Sequence, residues 1–378
     1  MSRPLKIAFY MPFKPLGHPR PSGDLVIGSE LFAFLRSLGH DIRTASRLRC
    51  RWSYWKPWLW AALAAEILRS RRWAERWRPD IWLTYHSYYK APDLLGPSVS
   101  RPLGIPYALF QGIYSTRRKR RLLTAPGFYL NRHALLTAEA VMTNKRMDHL
   151  NLLRLIAESR LHYIAPGILP EAFSFDLSSR EELRRQWEAA GKTVILTAAM
   201  FRPGVKTDGI LQVIRACGGL KRAGIPFELV IVGDGENRRL VLGEAERRIG
   251  GCFRLAGGLA RDRLYRYYSA GDVFVFPGIR EGLGMVYLEA QACGLPVVAF
   301  RDWGASEAVI DGETGLLCDA GSPRGLENAL RTLIERPGLR RRMGESARIH
   351  ARLHHDLRRN YAAVDELLRR IANRERRP

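Results

Sequence analysis

Apolar and polar positions along this chain follow two rhythms. Short, near-continuous apolar runs are separated by stretches whose apolar residues recur three and four apart. In the second half the runs are TVILTAAM (193–200), FELVIVGDGE (227–236), FRLAG (253–257), VFVFPG (273–278) and PVVAF (296–300). They predict strands buried on both faces of a parallel sheet, where neither side of the strand needs polar residues. In the first half LKIAFYMPF (5–13), DIWLTY (80–85), IPYALF (105–110) and AVMTN (140–144) predict strands, and LHYIAPGI (161–168) leads to a junction. The loop GHPRPSGD (17–24) opens a helix with apolar Ile27, Leu31, Phe34, Leu35 and Leu38 at helical period, closed by Gly39 as a C-cap. Strand, glycine loop and helix in that order form the first unit of a Rossmann-like sheet. The tail from about Arg340 predicts a basic amphipathic helix with Leu353, Leu357, Tyr361, Val364, Leu367, Leu368 and Ile371 on one face. The pattern predicts an α/β fold with two Rossmann-like domains facing each other across a cleft, residues 1–168 and 169–350. Residues 351–378 form a helix returning to the first domain and bracing both.

Composition narrows the class. Hydrophobic residues make up 46% and charged residues 26% of 378, which excludes a disordered chain, a collagen and a coiled-coil rod. The five cysteines (50, 217, 252, 293 and 318) are scattered without a Cys-x-x-Cys pair, which argues against a disulfide framework or a zinc ribbon and for a reducing, cytoplasmic compartment. No apolar run approaches the roughly 18 residues of a spanning helix. The first apolar run, Ile7 to Phe13, is too short for a secretion signal. The net charge of +24 is unevenly placed, with 27 Lys and Arg against 10 Asp and Glu in residues 1–170. Such a surface attracts nucleic acid, anionic lipid or a phosphorylated substrate, and composition does not choose among them.

The segment EGLGMVYLEAQACGLPVVA (281–299) carries the chemistry. Gly282 and Gly284 let backbone approach a ligand, and the helix starting after them points free N–H groups and its dipole at an anion. Glu281 and Glu289 lie eight residues apart, about 12 Å of helix. As pure acceptors, two such carboxylates suit a sugar on one side of a diphosphate and a ribose on the other.

This Glu-x7-Glu, preceded by VFVFPG and followed by ACGLPVVA, resembles the signature of the retaining glycosyltransferases of family four, the group-one glycosyltransferases with the GT-B fold. ELVIVGDGE, LYRYYSAGDVFVFPG, GASEAVIDGETGLL (304–317) and SGDLVIGSELFAFLRSLGHDI resemble other segments of the same family, so the likeness spans almost the whole chain and is tightest over 190–320. The resemblance implies that Glu281 contacts the transferred sugar, Glu289 the ribose hydroxyls, and the Leu283–Met285 backbone the diphosphate. It implies that Arg202 and Lys206, one residue closer together than the family pattern, stabilise the leaving phosphates. Gly23 would let the N-terminal loop close over the distal phosphate. His86, just past DIWLTY, stands where the family often carries an active-site histidine, although the flanking YHSYYK departs from the family and a structural sheet-edge histidine is the alternative. A nucleotide diphosphate sugar is implied as donor substrate, with no cofactor. The chain has no strict Asp-x-Asp, so the expectation is a metal-independent, retaining transfer by front-face attack, with cations and helix amides stabilising the leaving group.

Seven of the nine tryptophans fall between Trp52 and Trp82, interleaved with arginines, and five successive basic residues run from Arg117 to Arg121. Trp with Arg at an interface is the pattern of a membrane-surface helix; a solvated face with Trp buried against the sheet is the alternative. The expected partners are therefore a nucleotide-sugar donor, an envelope glycolipid or polysaccharide acceptor and the anionic inner face of the cell membrane. Two competing functions are a nucleotide-sugar epimerase, disfavoured by Glu-x7-Glu, and a non-catalytic lipid- or nucleic-acid-binding protein. No recognised nucleic-acid motif occurs.

Overall fold

The computed structural model describes residues 3–19, 22–279, 282–301, 303–322 and 324–374. The chain divides into two compact units, Met1–Ala165 with Arg358–Pro378, and Pro166–Leu357.

Unit 1 runs β1 (Lys6–Tyr10), α1 (Gly23–Ser37), β2 (Asp41–Ser46), α2 (Trp60–Trp77), β3 (Ile81–Ser87), α3 (Leu95–Ser100), β4 (Tyr107–Gly112), α4 (Ala125–Thr137), β5 (Ala140–Thr143), α5 (Arg146–Leu152) and β6 (Leu161–Tyr163). The strands are parallel in the order β2-β1-β3-β4-β5-β6. Every residue of β3 and β4 is buried, as expected of central strands covered on both faces. Ser22 caps α1 by accepting from the Leu25 amide at 3.3 Å, and Gly39 at φ +84° ends the turn after it.

Unit 2 runs α6 (Leu177–Gln186), β7 (Thr193–Ala198), α7 (Val205–Arg222), β8 (Phe227–Val232), α8 (Arg238–Ile249), β9 (Phe253–Gly257), α9 (Leu264–Ala270), β10 (Val273–Val275), α10 (Met285–Ala292), β11 (Val297–Phe300), α11 (Trp303–Ala308), β12 (Gly315–Cys318), α12 (Gly325–Glu335) and α13 (Pro337–His354). Its order is β12-β11-β10-β7-β8-β9. The half-buried carboxylate of Asp272 accepts from Arg180 at 2.6 Å, Arg184 at 2.8 Å and the Val194 amide at 2.8 Å, which locks α6 onto the sheet.

The last helix, α14 (Leu357–Arg374), crosses back to unit 1. There Asp365 meets His40 at 2.8 Å and Tyr361 packs edge-on against Phe34 and Phe110.

Three details differ from the expectation. FRLAG is half-buried along its whole length, because β9 is the edge of its sheet and has one neighbour only. The basic tail is two helices, broken at His355 and Asp356, and the break shifts the phase so that Leu353 is exposed while Leu357 to Ile371 bury their apolar face. The third strand runs through His86 and Ser87, so His86 belongs to the sheet and does not lie past it.

In both sheets the first strand has neighbours on both sides that come later in the chain: β1 lies between β2 and β3, and β7 between β8 and β10. The connections leaving such a strand and its neighbour turn to opposite sides, which opens a crevice at their carboxyl ends. Around that place in unit 2 stand the segments before α7 and α10, and in unit 1 the start of α1 and the end of β3.

Candidate functional site

In unit 2, β7 ends at Ala198 and the chain turns through Arg202 into α7. Gly204 caps that helix at φ +95°, ψ −149°, a conformation essentially restricted to glycine. The turn is braced from outside: the Thr207 hydroxyl donates to the Arg202 carbonyl at 2.6 Å and receives the Asn237 side-chain amide at 3.1 Å. The loop after β8 presses on it so closely that a Cβ on Gly233 would stand 1.9 Å from the Ala199 carbonyl oxygen, and one on Gly235 would stand 2.8 Å from that of Phe201. Gly233 and Gly235 both sit at φ +149°. The turn around Asp234 is thus a positioning device for Arg202, which is exposed.

Lys206 is the second residue of α7. A cation there is opposed by the helix dipole, by about 0.3–1 kcal/mol, so helix stability does not explain it. Its ammonium lies 5.2 Å from the centre of the Phe276 ring. Phe276 connects the two helix starts: a Cβ on Gly209 would touch its ring at 3.0 Å, and its carbonyl accepts from the Tyr287 hydroxyl at 3.0 Å. Tyr287 in turn fixes the turn before α10. Gly284 caps that helix at φ +59°, and a Cβ on it would stand 2.2 Å from the Tyr287 ring. Leu283 is buried while Gly282 and Met285 are half-buried, so the loop is held by its side chains with its backbone near the surface. The amides opening α7 and α10 and the Lys206 ammonium, linked through Phe276, with Arg202 in the turn before α7, are groups suited to a diphosphate.

Glu289 is buried on α10. One carboxylate oxygen accepts from Arg261 at 2.9 Å and the other from the Tyr268 hydroxyl at 3.1 Å. A carboxylate has about four acceptor positions, so two remain for hydroxyls. Burial raises the Tyr268 hydroxyl far above its usual range, and the Glu289 charge adds to this, which keeps it a donor. Arg261 and Tyr268 were not singled out in the sequence; they reach Glu289 from the short stretch before β10, and no local pattern marks that meeting. Glu281 lies outside the described residues.

In unit 1, Gly23 is the first residue of α1, and a Cβ there would meet nothing within 4 Å. The fold therefore does not require glycine at this place. His86 stands one residue before the end of β3 at φ +65°, a left-handed conformation that costs a non-glycine residue about 1–2 kcal/mol. Its ring stacks on Tyr88 at 4.8 Å and meets Phe13 edge-on at 5.5 Å. Its Nδ1 faces Asp24 in the first turn of α1 at 3.5 Å. Burial pushes the imidazole below its ordinary pKa, opposed by Asp24 and assisted by Lys145. The meeting of Asp24 with His86 is one that sequence reading passed over, because only the sheet brings the start of α1 to the end of β3.

The tryptophans separate into groups. Trp82 is wholly buried, and Trp73 and Trp77 stack at 4.8 Å with Arg43 over Trp77. Trp55, Trp58 and Trp60 are exposed, by 47%, 72% and 55%. Beside them lie Leu122 and Leu123, 91% and 64% exposed, with the Trp55 indole donating to the Leu123 carbonyl at 2.8 Å. These two leucines directly follow the basic run Arg117 to Arg121. No helix among the described residues is long and apolar enough to cross a membrane.

Comparison with known proteins adds a further line. Residues 179–350 match the family model described as glycosyl transferases group 1. The D-inositol 3-phosphate glycosyltransferase of Acidothermus cellulolyticus is 28% identical over 316 residues, 78% of this chain and 67% of that one. A GDP-mannose-dependent alpha-(1-6)-phosphatidylinositol monomannoside mannosyltransferase of Mycolicibacterium smegmatis is 31% identical over 221 residues, and the match spans only 56% of its length. Among solved structures, sucrose-phosphate synthase of Thermosynechococcus elongatus superposes with a TM-score of 0.75 at 18% identity, over 97% of this chain and 99% of that one. Anabaena HepE in complex with UDP and glucose does so with a TM-score of 0.70 at 20% identity, over 96% and 99%. Both structures share the two-domain GT-B fold with this chain.

Proposed function

This chain belongs to the group 1 glycosyltransferases, and from that premise we propose that it moves a sugar, with retention at the anomeric carbon and without a metal ion, from a nucleoside diphosphate sugar to a glycolipid or polysaccharide precursor of the cell envelope. The observation that carries the reading is the convergence, in unit 2, of Lys206 and Arg202 with the helix starts at Gly204 and Gly284. In this reading the amides of Leu283 to Met285 hold the diphosphate and Glu289, oriented by Arg261 and Tyr268, accepts from the ribose hydroxyls. Glu281 holds the sugar.

The acceptor hydroxyl oxygen bonds to the anomeric carbon as the bond from that carbon to the phosphate oxygen breaks. The hydroxyl proton passes to the leaving phosphate, on the same face of the sugar. Negative charge grows on the diphosphate through the step, and Lys206, Arg202 and the fixed helix amides stabilise it without reorganising. This chain thereby supplies, from its own cations, what a metal ion would otherwise contribute.

A lipid-borne acceptor is supported by the exposed Trp55, Trp58, Trp60, Leu122 and Leu123 beside five basic residues, a surface suited to an anionic bilayer. The relatives include one named for a phosphatidylinositol mannoside and one named for an inositol phosphate. We place the enzyme at the inner face of the membrane, as a peripheral protein. The experiment is a thermal-shift panel of nucleotide sugars, since a ligand that binds only the native state raises Tm. The one that stabilises is then used as donor in excess EDTA, with the anomeric configuration of the product read by NMR. An inverted product, or turnover abolished by EDTA and restored by manganese, overturns the mechanism.

A further inference from the structure

At the amino ends of β10 and β11, unit 2 contains a pocket of about 420 Å³ that lies outside the site described above. Asp272 directly precedes β10 and Pro296 directly precedes β11, and both line it. The turns that carry Arg202, Gly204 and Gly284 follow the carboxyl ends of β7 and β10, so the two places stand at opposite ends of one sheet.

The pocket forms where α13 is laid against the end of α10. A Cβ on Gly344 would stand 2.3 Å from the Gly294 carbonyl oxygen, and Gly294 itself takes φ +84°, so the close approach requires glycine at both positions. Arg341, Gly344, Glu345 and Arg348 follow one another along α13 at steps of three and four, which brings them to one face, and all four line the pocket. Arg180 reaches in from α6 and Arg340 from the start of α13. Four guanidiniums thus face two carboxylates, Asp272 and Glu345, an excess of two positive charges.

Part of this charge has a structural use. Arg180 donates to Asp272 at 2.6 Å and to the Ser269 and Gly271 carbonyls at 3.0 and 2.7 Å. Arg340 donates through Nη1 to the Leu333 and Ile334 carbonyls at 2.9 and 3.4 Å, closing the end of α12. Arg341 and Arg348 have no such use. Neither makes a hydrogen bond or an ion pair among the described residues, although Glu345 stands at a helical spacing where opposite charges pair. Burial lowers the Arg340 guanidinium from its ordinary pKa; Asp272 opposes this, and Arg180, Arg184 and Arg341 add to it. The field in the pocket is therefore positive beyond what its own carboxylates balance. The rest of the wall includes Leu295 and Phe175, which is 42% exposed.

We propose that this pocket is a second ligand site, for a soluble small molecule that carries phosphate. A guanidinium presents a planar fork that meets phosphate oxygens two at a time, and Arg341 and Arg348 hold such forks open two turns apart on one helix face. A phosphate or diphosphate group neutralises the excess of two charges. The volume is that of a site for a small organic molecule, and Phe175 and Leu295 offer its carbon skeleton an apolar wall. A neutral sugar leaves the charge unbalanced, and a bare ion leaves most of the space unfilled.

The test is calorimetric titration of the full chain with pyrophosphate, with UDP or GDP in excess to occupy the diphosphate site of α7 and α10 and with ionic strength matched by sodium chloride. The wild type is expected to bind a single pyrophosphate. Arg341→Gln together with Arg348→Gln should weaken that binding by about tenfold or more, the loss expected when hydrogen bonds to a charged group are removed, with Tm unchanged because neither side chain has an internal partner. Glu345→Gln removes an opposing charge and should tighten it. Lys206→Met, at the other end of the sheet, should leave it as it is. Vesicles of phosphatidylcholine containing phosphatidic acid test a lipid headgroup as the source of phosphate, and the double variant should bind them as the wild type does. The proposal is overturned if the wild type takes up no pyrophosphate, if the double variant binds it as tightly as the wild type, or if Glu345→Gln weakens it. It is overturned as well if the double variant loses the vesicles, which would assign the two arginines to a lipid surface.

Discussion

Removing the charge of Lys206 separates what that residue does for the fold from what it does for the reaction. Lys206→Met keeps an unbranched apolar stem against Phe276 and deletes the ammonium alone. In the folded protein that ammonium gains a cation–π contact at 5.2 Å, worth about 0.5–1 kcal/mol. It loses about 0.3–1 kcal/mol to the dipole of α7, in whose first turn it stands. The two nearly cancel, so neither by itself accounts for a large change in Tm. Catalysis has far more at stake. The diphosphate gains charge as it leaves, and deleting one preorganised donor to such a centre costs about 2.7–4 kcal/mol, or about 100- to 1000-fold at 1.36 kcal/mol per decade. Because the interaction strengthens in the transition state, the loss should appear in kcat with KM little changed. Steady-state release of nucleoside diphosphate at varied donor concentration gives both constants, and Lys206→Arg should recover part of kcat. If kcat of the Met variant stays within threefold of wild type, or if the whole loss falls in KM, Lys206 is a ground-state anchor and the leaving-group assignment is wrong.

Four other outcomes are expected. Gly23→Ala adds a Cβ where the fold is open, so stability should hold or rise by up to about 1 kcal/mol while turnover drops; wild-type turnover would remove Gly23 from the phosphate site. Glu289→Gln should weaken nucleoside diphosphate binding about 10- to 150-fold, the value of about 1.5–3 kcal/mol for hydrogen bonds to a charged acceptor, measured by calorimetry; unaltered affinity would free Glu289 from the ribose. His86 has its pKa lowered by burial, so the unfolded chain binds more protons and stability rises with pH from the depressed native value up to about 6.5. Melting below that pH should therefore be less acid-sensitive in His86→Gln than in wild type, and identical pH profiles would contradict the burial effect. Binding to anionic liposomes should weaken with salt as screening over about 8 Å sets in. Trp55, Trp58 and Trp60 changed together to Ser should remove the salt-resistant part, and no binding at low salt would leave a soluble acceptor as the better reading.

Much of this protein was legible before any coordinates. Strands covered on both faces must be apolar throughout, so β7, β8 and β11 stand out as runs of Val, Ile, Leu and Phe. A capped helix start is a local arrangement, so the turns before α1, closed by Ser22, and before α10, closed by Gly284, are readable over a few residues. The amphipathic face of α14 also shows, because helical period is a property of consecutive positions. What required the tertiary structure was every feature that depends on residues distant in the chain. Glu289 is marked in the sequence by its spacing from Glu281, but the groups that orient it, Arg261 and Tyr268, close on it from 28 and 21 residues away. Seven tryptophans in one stretch look alike, yet Trp82 is sealed in the sheet and Trp58 stands in solvent. The pocket of Arg180, Arg341 and Arg348 carries no signal in sequence at all. It becomes conspicuous only when α13 is laid against the end of α10, because a cavity is made by packing and never by neighbours in the chain.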